Sequence, residues 1–542
     1  MIRNARVHAA DPALRSAAGF AEGAGRAAPV HRAQVGRWES GSVEVTYDLV
    51  RRYETVLGLP EGQLLCAIDY FSREQRRVRA APTLHPQEVP DPHETLRLME
   101  LALSTDRMTG HDWDRLSGNI GRTPGALVRA GDWEHLIRRC IAEVGTSLHL
   151  EFALRDEAAA RLAGHPRSGP VVARIADEAL SDPGGQLYAD FAGLVQYTDD
   201  PACLAVLVKH LREPVNDDAL RATLISMTTL LRSRSVPREV AREVAGLALG
   251  HLRDPSRSFR VHRAAANIVR ALDLPGRDRL VFGLTPAARR FAASIILEGR
   301  ALDRQAHASV SKQVRRALAD DVATSDPHDE VLGGLLATAL GETHEESRSN
   351  ALAILMISPQ GALVGRAYAA ELARAQSAGD RVATHECLSV LTWLIQPEDL
   401  AVPTEMLCST RTDPELAAAV GATVGNCAEP AGPQREARDE RLQAAALDLV
   451  RTLPAVSGES GLAPLRYRLR GLAYALGMRG RLDLLDEVLQ TVPGSKQDGP
   501  TVLSEVARTI LRWWIDLPFH LQPEAALLRG TTPGAKGRRK AR

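Results

Sequence analysis

The sequence predicts an all-α protein, and two observations lead there. Aromatic residues make up only 4% of the chain while apolar residues reach 44%, supplied mainly by alanine, leucine and valine, the side chains that let helices pack closely. Apolar positions recur at helical spacing in run after run. The runs are cut by short breaks, among them Asp182-Pro183-Gly184, Asp200-Pro201, Val236-Pro237, Asp254-Pro255, Leu274-Pro275-Gly276 and Asp326-Pro327. At 542 residues the chain exceeds what a single core supports, so several domains or a repeat array are expected. Its 67 basic residues balance its 67 acidic ones, and a neutral chain meets nucleic acid only through a local patch. The six cysteines, Cys66, Cys140, Cys203, Cys387, Cys408 and Cys427, are scattered with no CxxC pair. That argues against a disulfide framework or a zinc site and fits a reducing cytoplasm. The start carries no apolar leader, and no run approaches the roughly 18 apolar residues of a membrane span. A cytoplasmic protein with no membrane partner is the expectation.

Taken in order, residues 1–28 are Ala-rich and Gly-punctuated, with Leu14 and Phe20 the only large apolar side chains after Val7. Helices are weakly encoded there. Pro29 and Val30 then turn into a short helix over residues 31–40, which Gly41 stops by taking a positive φ. At about 100° per residue, Arg32, Ala33, Gly36, Arg37 and Ser40 share one face and Val35 and Trp38 the other, with Gln34 at the margin. The inner half is bulky and the outer half small or cationic. Small side chains at Ala33 and Gly36 let another surface approach the backbone, and flanking arginines fork onto guanine edges or phosphates. Thr46 caps a second helix over 47–57, with Leu49, Val50, Tyr53, Val56 and Leu57 as its apolar stripe. Gly58 ends it, and a third helix after Pro60 carries Leu64, Leu65 and Ile68.

The run Val30-His31-Arg32-Ala33-Gln34-Val35-Gly36-Arg37-Trp38-Glu39-Ser40-Gly41, with Leu49-Val50-Arg51-Arg52-Tyr53-Glu54 and Leu57-Gly58-Leu59-Pro60 behind it, resembles the Cro/C1-type (XRE family) helix-turn-helix domain of bacterial and phage repressors. The resemblance covers residues 14–70 and implies a lambda-repressor-like DNA-binding domain over 1–80. It implies a recognition helix in the major groove, with His31, Arg32, Ala33, Gln34 and Arg37 facing the duplex and Arg51 and Arg52 at the phosphate backbone. It also implies a homodimer on a double-stranded operator, with half-sites about one helical turn apart. Twelve arginines against nine acidic residues give residues 1–80 a net charge of +3.

Four prolines within 81–93 make a stiff linker. From residue 94 to 427 the chain reads as a HEAT/TPR-like helical array, with helix pairs recurring every 36 to 40 residues or so between 200 and 300. A loop over 428–440 precedes a C-terminal helical bundle over 441–530, in which residues 471–489 read as one helix-turn-helix unit. A basic tail, 531–542, is expected to be disordered. The array is the expected seat of dimerisation and of a protein or small-molecule effector. No phosphate-binding loop, nucleophile elbow or paired metal-ligand histidines occur, so neither an enzyme nor a cofactor is expected. His385-Glu386-Cys387 point in different directions from one helix, and Cys387 is expected to be buried. The alternative reading is a helical scaffold for protein partners whose N-terminal domain no longer reads DNA.

Overall fold

The computed structural model describes residues 1–24, 30–76, 91–123, 128–233, 236–302, 304–320, 330–453, 462–493 and 502–526. Within them the chain is helical throughout, with no strand. The helices begin with α1 (Ile2–Val7), α2 (Ala17–Ala24), α3 (Arg32–Glu39), α4 (Tyr47–Leu57) and α5 (Gln63–Arg76). Next come α6 (Pro92–Leu103), α7 (Gly110–Gly121), α8 (Ala130–Val144), α9 (His149–Ala163), α10 (Gly169–Ser181), α11 (Tyr188–Leu194) and α12 (Pro201–Arg212). They continue with α13 (Asp217–Arg232), α14 (Arg238–Arg253), α15 (Phe259–Ala271), α16 (Arg277–Phe282), α17 (Pro286–Ala293), α18 (Arg304–Asp320), α19 (Glu330–Gly341) and α20 (Glu345–Met356). The last are α21 (Gly361–Ser377), α22 (Arg381–Leu394), α23 (Ala401–Cys408), α24 (Pro414–Gly425), α25 (Pro433–Arg451), α26 (Leu462–Met478), α27 (Leu482–Thr491) and α28 (Val502–Ile515). No described helix is long and apolar enough to cross a membrane.

Helix starts follow the sequence chemistry. Thr46 Oγ1 accepts from Leu49 N at the head of α4, and Asp200, Asn216, Ser258 and Asp380 cap α12, α13, α15 and α22 in the same way. From α6 onward helices pack on their neighbours in sequence, as α8 on α9, α14 on α15 and α21 on α22, and on the next but one, as α7 on α9, α10 on α12, α11 on α13 and α13 on α15. Two layers result. The second half repeats the arrangement through α20, α22, α24, α26 and α28.

The two halves then face each other. Arg221 of α13 pairs with Glu345 of α20, Arg263 of α15 with Glu386 of α22, and Arg470 of α26 with Asp218 of α13 at 2.8 Å. Phe259 N at the head of α15 donates to Glu415 of α24 at 3.0 Å. Glycines set the closest approach: a side chain at Gly421 would lie 2.3 Å from Gly471 O, and one at Gly471 would lie 2.2 Å from Ala417 O. Helices α24 and α26 therefore meet backbone to backbone.

Three expectations about organisation are corrected. The loop expected over 428–440 is confined to its first residues, because Pro433 sits in the first turn of α25 and Glu436 favours that end. The expected bundle over 441–530 is no separate body, since one apolar core runs from Phe259 to Trp514. Nor does 1–80 stand apart from the array. Cys66, Ala67 and Tyr70 of α5 pack with Ala153, Leu154, Ala353 and Ile354. Around this seam Gln63 Nε2 donates to Ile357 O at 2.6 Å, Tyr70 Oη to Asp156 at 2.7 Å and Arg161 to Asp69 at 2.9 Å. Asn4 of α1 exchanges amide hydrogen bonds with Gln360. Periodicity shows which face of α5 is apolar but not what covers it. Of the expected linker, residues 81–90 lie outside the described residues, as does the tail 531–542.

Cys387 is fully buried, as expected, and Glu386 beside it is clamped between Arg263 and Arg348. Burial alone would push the Glu386 carboxyl up, but the two guanidinium groups outweigh it and hold it well below its ordinary range. A depressed folded-state pKa stabilises the protein above the unfolded value of about 4.3 and withdraws that stability as pH falls. The melting temperature should therefore drop steeply below about pH 4.5. Glu386→Gln should lose about 3–5 kcal/mol at neutral pH, by stranding two buried cations, and melt with a shallower acid limb. Calorimetry across pH checks both, and an unchanged neutral-pH melt would remove Glu386 from the account.

Candidate nucleic-acid interface

Helix α3 is short because both its ends are built. His31 holds an extended backbone before the first turn, and its N–H donates to Gln34 Oε1 at 2.9 Å, one arm of a capping box. Val30 packs against the same small core that buries Val35, the hydrophobic staple across a helix start. At the other end Gly41 takes φ +70°. That lets Ser42 N reach Arg37 O at 3.0 Å and Gly41 N reach Trp38 O at 3.3 Å, the two bonds of a Schellman stop. Gly58 closes α4 in the same manner at φ +64°, with Leu59 N on Glu54 O at 2.9 Å.

The inner face locks the helix in orientation. Val35 is fully buried, and the Trp38 ring meets Tyr53 edge-on, with centroids 6.5 Å apart. Tyr53 stacks on Phe20 of α2 at 4.2 Å. Glu39, the only acidic residue of α3, turns inward to a bidentate pair with Arg6 of α1 at 2.6 and 2.8 Å and accepts the Tyr53 hydroxyl at 3.2 Å. Burial, then Glu39, pushes the Tyr53 phenol far up, so it stays protonated and donates. The weakly encoded residues 1–28 thus supply the brace through Arg6 and Phe20. Gly19 belongs to it as well, because a side chain there would lie 2.0 Å from Ala13 O.

The outer face carries what the sequence placed on it. His31, Arg32, Ala33, Gly36, Arg37 and Ser40 are exposed. Among the described residues neither Arg32 nor Arg37 has an ion-pair partner. A side chain at Gly36 would meet nothing within 4 Å. Glycine inside a helix costs roughly 1 kcal/mol relative to alanine, and no contact among the described residues accounts for it. Gln34 is half-buried and engaged in the cap. Arg51 lies over the Tyr47 ring at 5.8 Å and pairs with Glu61. Arg52 is turned inward, donating to Ala24 O at the end of α2 at 2.5 Å. Four of the seven sequence-selected residues, His31, Arg32, Ala33 and Arg37, therefore share one open surface. Ser42, exposed and hydrogen-bonded to Ser40 at 2.7 Å, adjoins it and was missed, because it follows the stop glycine and has no helical phase.

The seam with the later helices is made by α1 and α5, and among the described residues nothing covers the outer face of α3. No protein-family model, no curated protein and no solved structure matches this chain.

Arg6→Ala should cost the N-terminal domain about 3–5 kcal/mol, because Glu39 is left charged and unpaired inside. Arg32→Ala and Arg37→Ala should each change stability by less than about 0.5 kcal/mol. Hydrogen exchange resolves the two cases, with lost protection across residues 2–65 in the first alone. Full protection in Arg6→Ala would mean that the Arg6–Glu39 pair does not hold α3.

Proposed function

We propose that the protein is a sequence-specific DNA-binding transcriptional regulator of the Cro/C1 (XRE) kind, with α3 as recognition helix and the rest of the chain as a HEAT/TPR-like array. The observation that carries this reading is the outer face of α3, where two unpaired arginines flank Ala33 and Gly36 while the helix's only carboxylate is drawn inside. Such a face lets the backbone come close to base edges. Arg32 and Arg37 fork onto guanine O6 and N7 or onto phosphates, and Ala33 meets a thymine methyl. His31 reaches a phosphate at the helix entry. Gln34 keeps its amide N–H donors for a base edge while its oxygen caps the helix. Arg51 joins the backbone contact by exchanging Glu61 for a phosphate, whereas Arg52 acts by holding α2 in place.

One short helix reads too few base pairs for specificity, so the working form is a homodimer on two half-sites about one turn apart. Regulation is by occlusion or recruitment at the operator, with no chemistry on the DNA and no cofactor. The array holds the partner copy and receives a protein or small-molecule signal, in the cytoplasm.

Gel shifts with upstream DNA from the source genome, run over a salt series, test this. Arg32→Ala and Arg37→Ala should each lose about 1–3 kcal/mol against particular base positions. Arg51→Ala should weaken all sequences alike and reduce the salt slope by about one. Unchanged affinity and preference in both α3 variants would leave the scaffold reading.

A further inference from the structure

Between the two halves of the array lies a cavity of about 460 Å³. Its walls hold eight of the chain's 22 aromatic residues, of which Tyr70, Tyr188 and Trp514 also belong to the core. Trp393, Tyr474, Trp513 and Trp514 are among them, with Trp514 packed edge-on to Tyr474 at 5.5 Å and to Trp513 at 4.8 Å.

One part of the wall is rich in arginine, facing fewer carboxylates. Asp218 is approached by Arg470 at 2.8 Å, Arg260 at 3.4 Å and Arg466 at 3.9 Å, while neighbouring Arg221 is paired with Glu345. Three guanidinium groups thus share one carboxylate. The Nε of Arg260 has no hydrogen-bond partner among the described residues. Burial, then repulsion from Arg221 and Arg470, pushes Arg260 below its ordinary value, a strain that an anion would relieve. Two further carboxyl groups line the wall, Asp190 within electrostatic reach of Arg470. Asp156 accepts from Tyr70, and Asp190 is pushed up to about 6 by burial and, to a lesser degree, by Asp156. These two carboxyl groups suit hydroxyl or amine donors on a ligand.

We propose that this cavity binds a nucleotide-like small molecule, a phosphate monoester carrying an aromatic ring, with the phosphate on Arg260 and Arg470 and the ring among the tryptophans. The site does not depend on the DNA-binding reading, and its test needs no DNA. Titrating the full chain with adenosine, guanosine, cytidine and uridine monophosphates, followed by tryptophan fluorescence and calorimetry, should give a Kd below about 1 mM for at least one. Adenosine and inorganic phosphate, each carrying half of the required chemistry, should bind at least about tenfold more weakly than the best of these. Arg260→Gln should weaken binding about tenfold with the melting temperature retained. Trp513→Leu gives a second reading on the ring wall if Arg260→Gln fails to fold. Absence of binding by all four monophosphates, equal binding of free nucleoside, or unchanged affinity in the folded variants would overturn the proposal.

Discussion

The position of α3 depends on one buried ion pair. Arg6 on α1 and Glu39 on α3 are 33 positions apart and meet through two hydrogen bonds, with the Tyr53 hydroxyl as a third. Several things follow from it. The only negative charge of α3 leaves the surface, the helix is fixed in rotation about its axis, and α1 is tied to α3. Because α1 also binds Gln360, the same element joins α3 to the later helices. A buried pair of this kind adds little net stability against an apolar substitute, and its value here is orientation.

Much of the candidate interface was legible in the sequence for local reasons. The limits of α3 and α4 follow from Thr46, Gly41 and Gly58, whose roles are set within a turn of the chain, and the division of α3 into faces follows from periodicity. The brace was not legible, because its determinants act over distance. Arg6 looks like any solvated arginine until Glu39 is opposite it. Gly19 and Gly23 look like helix weaknesses until Ala13 O and the Leu14 side chain are found against them. Arg52 was assigned to DNA on the strength of family resemblance alone, and in the fold it reaches Ala24 O.

The array shows the same division. Its helices were visible from apolar spacing and proline breaks, but its closure was not. Gly421 and Gly471 are 50 residues apart and gain meaning only where α24 crosses α26. That crossing merges two regions that composition separates at the Pro- and Gly-containing loop around residue 430. Tyr70 connects the parts, since it belongs to α5, which packs on α4, and also lines the central cavity.

The account's central claim is that two copies of α3 read a DNA sequence. The most direct measurement is selection of the purified full-length protein on a pool of random-sequence duplexes, followed by sequencing of what is retained. The account predicts enrichment of an inverted repeat whose half-sites are centred about 10 base pairs apart. Retention of duplexes with no enriched sequence, or no retention at low salt, would contradict it.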